Sequence, residues 1–224
     1  MLQAIYAPRW FYGVDLFMDI LSALILLSIG FVAFRHYWFS GRKNHLLFAF
    51  GLGVYASGLV FKVARNFIFY SGDIADITLS QIHSSVAFVS WMVIVSRILI
   101  VLGLLFIFFL YYTSPKEVQA ITVFLVLVSL ILSDSVYVIF HMISALLAFF
   151  IGFHFSRSRK KHSFSQKNFL SLSFFLISIS HILFFFISFS GWFYIIGEFV
   201  QLCGFILLFT TLLSVVLYGK KNPS

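Results

Sequence analysis

Charged residues and cysteines are both scarce in this sequence, and each scarcity excludes a class of structure. Only 10% of the 224 residues are Asp, Glu, Lys or Arg, whereas soluble domains carry about 25%. A soluble enzyme or a soluble binding domain is therefore excluded. The single cysteine, Cys203, excludes an intrachain disulfide. Because Cys203 lies in an apolar run, we expect its thiol to be buried and unreactive.

Acidic residues are especially few. The sequence has seven Asp and Glu and fifteen Lys and Arg, which gives a formal net charge of +8. In a soluble protein this excess would suggest a nucleic-acid partner. Here most of the basic residues lie in short stretches between apolar runs, so membrane topology explains them better. We expect no nucleic-acid partner.

Long apolar runs dominate what is present. The chain is 62% hydrophobic and its mean hydropathy is +1.06. Runs of about 20 residues match the hydrocarbon thickness of a bilayer, and they are continuous rather than alternating, which excludes a transmembrane barrel. The sequence therefore predicts an all-α integral membrane protein, with residues 1–224 forming a single transmembrane domain, a seven-transmembrane-helix bundle. The predicted helices are about 12–34, 46–70, 79–112, 118–133, 135–156, 167–189 and 192–218.

The basic residues also predict an orientation. The stretches after the first, third and fifth predicted helices, together with the C-terminal tail, hold most of the Lys and Arg residues. The positive-inside rule then places the N-terminus outside and the C-terminus in the cytoplasm, most simply at the plasma membrane. We expect the most basic stretch to contact anionic lipid headgroups; its cations are Arg157, Arg159, Lys160 and Lys161.

Ionisable side chains recur at similar depths in six of the seven predicted helices. Counted from the outer end at ~1.5 Å per residue, most lie roughly 9–12 Å deep. Such groups are costly in a membrane and mark candidate functional sites. Small residues on the same helix faces predict that these groups converge in one outward-facing pocket. Its candidate residues are Asp15, Asp19, Lys62, Arg65, His83, Arg97, His141, His181, Glu198 and Gln201.

Two of these residues suggest a cofactor. His141 and His181 lie at nearly the same height on consecutive predicted helices. They could supply both axial ligands of a haem b, with Lys62 and Arg65 pairing with its propionates. The chain has no Cys-x-x-Cys-His motif, so such a haem would be non-covalent. Electron transfer would then be the function.

Three alternatives stay open. A divalent metal could use ligands drawn from His83, His141, His181, Glu198 and Asp19, although no tight ligand spacing supports it and Lys62 and Arg65 would repel a cation. A small ligand could fill the pocket, as in a seven-helix sensor or receptor. The charged groups could also be purely structural ion pairs, Asp19–Arg65 and Glu198–Lys62, that hold the helices together.

We therefore expect a membrane subunit with an outward-facing polar pocket that binds a cofactor or small ligand, and haem b is the most concrete candidate. The alternative is a sensor-like or purely structural interaction subunit. The sequence does not favour an enzyme. A chain of this kind is expected to work with other membrane subunits.

Overall fold

The computed structural model describes residues 8–71, 79–112, 115–132, 136–157 and 164–218. The regular structure in this part of the chain is all helical, which confirms the all-α class. Its elements are a 3-10 turn Arg9–Phe11, α1 Val14–Ser40, α2 Lys43–Ser71, α3 Leu79–Tyr111, α4 Lys116–Leu132, α5 Val136–Arg157, α6 Phe164–Phe185, a 3-10 turn Phe186–Ser188 and α7 Gly191–Tyr218.

Six of these helices are long and apolar enough to cross a membrane: α1, α2, α3, α5, α6 and α7. The exception is α4, which has 17 residues and is about 25 Å long at ~1.5 Å per residue. The chain is thus a helical membrane protein with six helices of full membrane-spanning length in its described part.

The six long helices form a ring in which each packs against the next. The order around the ring is α1, α2, α3, α5, α6 and α7, and α7 closes it against α1. Among the described residues, the short helix α4 packs mainly against α3 and α5, outside the ring. Many large apolar side chains on the outer faces of the ring are exposed, for example Phe31, Leu146 and Phe199, as a lipid-facing surface requires.

Helices α3 and α5 run parallel to each other. Near one end, the Tyr112 hydroxyl that follows α3 donates to the Phe150 carbonyl of α5 over 3.0 Å. Towards the other end, the Arg97 guanidinium of α3 lies 5.3 Å from the centre of the Tyr137 ring of α5. The chain between them must return along the bundle, and α4 makes that return.

Small residues set the closest helix contacts. A Cβ built on Gly103 of α3 would lie 2.7 Å from both the Gly51 carbonyl oxygen and the Tyr55 amide nitrogen of α2. Between α5 and α6, the Ser171 hydroxyl donates to the Gly152 carbonyl over 2.7 Å. Close approach of this kind replaces the hydrophobic driving force that lipid cannot supply.

Two local expectations differ from the structure. Helix α1 continues to Ser40, six residues beyond the predicted end at 34, because the apolar run marks the span and not the end of the helix. It ends at Gly41, whose φ of +66° suits glycine and whose N–H donates to the Tyr37 carbonyl. Cys203 is exposed rather than buried, since it lies on the outer face of α7.

Candidate functional site

An ammonium bridge between three helices lies inside the ring. The Nζ atom of Lys62, on α2, is 2.9 Å from Oδ1 of Asp19 on α1 and 2.7 Å from Oε1 of Glu198 on α7. The Asp19 and Glu198 side chains are only 2% and 3% exposed, and the Lys62 side chain is 17% exposed. One cation therefore holds two buried carboxylates from different helices.

The bridge leaves two hydrogen-bonding positions unused. An ammonium has three N–H donors, and Lys62 uses two of them, on Asp19 and Glu198. The second carboxylate oxygen of Asp19, Oδ2, is buried and has no hydrogen-bond partner within the described residues. With both carboxylates ionised, the three groups carry a formal charge of −1.

Asp15 and Gln201 lie in helix contacts on either side of the bridge. Oδ1 of Asp15 accepts from the Gly13 and Leu16 amides at the start of α1, and its Oδ2 accepts from the Tyr194 hydroxyl of α7 over 3.2 Å. The Gln201 amide donates to the Tyr55 hydroxyl of α2 over 3.2 Å. Asp15 therefore ties α1 to its neighbour α7, and Gln201 ties α7 to α2 across the ring.

Aromatic rings cover one side of the bridge. The Nζ atom of Lys62 lies 5.9 Å from the centre of the Phe184 ring and 6.0 Å from that of Tyr194. Ring faces attract cations at such distances. Tyr194 is also four residues before Glu198, so both project from one face of α7; that spacing is the signal by which the sequence could have identified it.

The two histidines contact each other directly. Nδ1 of His141 on α5 lies 3.0 Å from Nδ1 of His181 on α6, and the residues are 7% and 2% exposed. The rings of Tyr137, Phe140 and Phe184 pack against the His141 ring. Nε2 of His181 is buried and has no partner in the described chain. The pair is thus a polar contact enclosed by aromatic rings.

This contact does not fit an iron held between the facing nitrogens. Two histidine nitrogens that share a metal from opposite sides lie about 2.0–2.1 Å from it and hence about 4 Å apart. The Nδ1 atoms of His141 and His181 are 3.0 Å apart and share a hydrogen bond. Haem ligation through these two atoms would require the rings to move apart, and a bound haem stays a prediction from the sequence.

The remaining predicted residues either lie apart from the bridge or fall outside the described residues. Both Nε and Nη2 of Arg65 donate to Oδ1 of Asn66, at 3.0 and 2.6 Å. Of the two expected ion pairs, Lys62–Glu198 is therefore present, whereas Asp19 pairs with Lys62 and not with Arg65. The guanidinium carbon of Arg97 lies over the Tyr137 ring.

Two further expectations concern residues that the structure does not describe fully. The side chain of His83 and residues 158–161 of the basic stretch lie outside the described residues. Within the described part of the chain, no three His, Cys, Asp or Glu side chains lie together in a way that could hold a metal ion.

In comparisons with protein-family models, with curated proteins and with solved structures, the chain matches none of them.

Proposed function

We propose that this membrane protein binds a small zwitterionic molecule of the amino-acid type inside its helix ring, at Asp19, Lys62 and Glu198. The observation that supports this most is the unpartnered, buried Oδ2 atom of Asp19 beside an ammonium with one unused N–H. A buried polar atom without a partner needs an explanation, and a bound ligand provides one.

The unused positions match the two ends of a zwitterion. The ligand ammonium would donate to Oδ2 of Asp19, and the ligand carboxylate would accept the third N–H of Lys62. Hydrogen bonds between charged groups contribute about 1.5–3 kcal/mol each. The formal charge of −1 on the bridge favours a ligand whose cationic end approaches the carboxylates.

Access and surroundings also favour a ligand at this place. The Lys62 side chain is more exposed than either carboxylate, so we propose that a small molecule reaches the bridge along it. The Phe184 and Tyr194 rings beside it could cover the ligand ammonium as they cover that of Lys62.

We also propose that all seven helices cross the membrane, with the N-terminus outside and the C-terminus in the cytoplasm. The parallel α3 and α5 support this, because α4 must run between their opposite ends. The charges support it too: if α4 did not cross, the basic residues after α1 and those after α5 would lie on opposite sides. The bridge then lies in the outer half of the bundle, within a plasma membrane, and its ligand comes from outside.

The most consistent role is a ligand-sensing subunit that works with other membrane proteins. The basic residues at the end of α5, beginning with Arg157, would bind anionic lipid headgroups on the cytoplasmic side.

The test is a thermal-unfolding screen of the protein in mild detergent with each of the twenty standard amino acids. At 100 times its Kd, a ligand stabilises the folded state by about 2.7 kcal/mol, which corresponds to a Tm rise of roughly 5–10 °C for a chain of this size. We expect at least one amino acid to stabilise the wild type and to lose its effect on D19N.

D19N tests the site in this screen, and T211V is its control. T211V removes a buried hydroxyl that donates to the Leu207 carbonyl of the same helix. It lies about 20 Å from Glu198 at ~1.5 Å per residue, so T211V should respond as the wild type does. If no amino acid shifts the Tm of any of the three proteins, the bridge is only a set of ion pairs that hold the helices together.

A further inference from the structure

A second candidate site lies on the outer surface of the bundle, separate from the Lys62 bridge. It is a groove of about 470 Å³ between α5 and α6, within the volume of ordinary ligand sites. Exposed apolar side chains, including Met142, Leu146 and Ile182, form its walls. The groove therefore opens towards lipid.

The polar groups that line the groove are few. His141 and His181 line it, and so does Ser178, whose hydroxyl already donates to the Ala145 carbonyl of α5 over 2.9 Å. The two histidines use their Nδ1 atoms on each other. Nε2 of His181, in a residue that is 2% exposed, has no partner among the described residues.

The contact between the histidines determines what that nitrogen can bind. In a neutral pair, one Nδ1–H donates to the bare Nδ1 of the other ring. The donating ring then has a bare Nε2, and the accepting ring has an Nε2–H. A hydroxyl can bond to His181 in either case, because it both donates and accepts, whereas a hydrocarbon can do neither.

We propose that this groove binds a membrane-dissolved alcohol: a hydrophobic chain with a single hydroxyl that bonds to the histidine pair. The chain of the molecule would lie along the walls formed by α5 and α6, where it replaces lipid. The hydroxyl would supply the partner that Nε2 of His181 lacks. None of the three bridge residues, Asp19, Lys62 and Glu198, lines this groove, although the Phe184 ring lies against both His141 and Lys62.

A second groove on the same molecule provides the internal control. It lies between α1 and α2, has a volume of about 570 Å³ and is lined by apolar residues with Ser57, whose hydroxyl donates within its own helix to Gly53. A hydrocarbon chain fits both grooves, but the groove with the histidines adds a ring nitrogen without a partner among the described residues, so we expect the larger preference for an alcohol over the matching hydrocarbon there.

The experiment compares farnesol with the triene hydrocarbon that has the same carbon skeleton and double bonds but no hydroxyl, at equal mole fractions in detergent micelles that contain the full chain. Binding is followed by the Tm of the protein. One hydrogen bond predicts that farnesol binds about two- to tenfold more tightly, and therefore stabilises the wild type more than the triene does. The preference should disappear in A145F, which fills the groove, and in H181F.

V54F, which narrows the control groove, should keep the preference for farnesol. Equal effects of farnesol and the triene on the wild type would overturn the proposal without any variant having to fold. A full preference in A145F would overturn it as well. Neither result bears on the response to amino acids, so failure here and failure of the zwitterion site are distinguishable.

Discussion

Replacement of Lys62 by methionine tests the energetic role of the ammonium bridge. Methionine keeps most of the length of the side chain but removes the charge. K62M would leave the Asp19 and Glu198 carboxylates, 2% and 3% exposed, facing each other without a cation. The variant therefore creates two uncompensated buried charges in place of a bridged network.

The magnitude follows from that geometry. Removal of one partner from a buried ion pair costs about 3–5 kcal/mol. Lys62 is 17% exposed, so water that reaches the site will lower the cost, and we expect about 3 kcal/mol. The free energy of unfolding can be measured by denaturant titration in detergent micelles.

A triple variant separates charge from packing. D19N/K62M/E198Q has no buried charge at the bridge, so it should regain most of the stability that K62M loses. K43M removes an exposed lysine at the start of α2 and should change stability by less than about 0.5 kcal/mol. The reasoning is refuted if K62M lies within about 1 kcal/mol of the wild type, or if the triple variant is as unstable as K62M.

Three further predictions concern packing, topology and the histidine pair. G103A should destabilise the protein by about 1–3 kcal/mol, because its Cβ would lie 2.7 Å from the α2 backbone. G53A should not destabilise it, because a Cβ there would have nothing within 4 Å. Equal stabilities of the two variants in denaturant titration would contradict this. Reporter tags inserted after Gly41 and within the basic stretch after Arg157 should both be cytoplasmic, and tags on opposite sides would mean that α4 does not cross. Oxidised and dithionite-reduced absorption spectra test the haem hypothesis: a Soret band that H181A abolishes would support it, and a featureless spectrum from protein grown with ample haem would remove it.

The helical class was predictable because the length of each apolar run indicates whether it can span a membrane as a helix. The ends of helices were not, as Ser40 shows: a charged residue such as Arg35 ends the apolar run without ending the helix. The packing of α4 outside the ring agrees with its lack of an ionisable residue in the outer half, but its neighbours depend on three-dimensional packing.

The partners within the site were only partly predictable. Residue counts along each helix predicted that Lys62 and Glu198 lie at similar depths, and the two side chains do pair. Depth does not determine rotation about the helix axis or the reach of a long side chain. Asp19 therefore pairs with Lys62 rather than Arg65, and Arg65 turns to its neighbour Asn66.

The most direct test of the central claim is a calorimetric titration of the stabilising amino acid into the wild type, D19N and T211V in detergent. The account predicts one binding site on the wild type, the same affinity for T211V, and affinity at least tenfold weaker for D19N, because a charge-assisted hydrogen bond is lost. Equal affinity for wild type and D19N would contradict a ligand held at the Asp19–Lys62–Glu198 bridge.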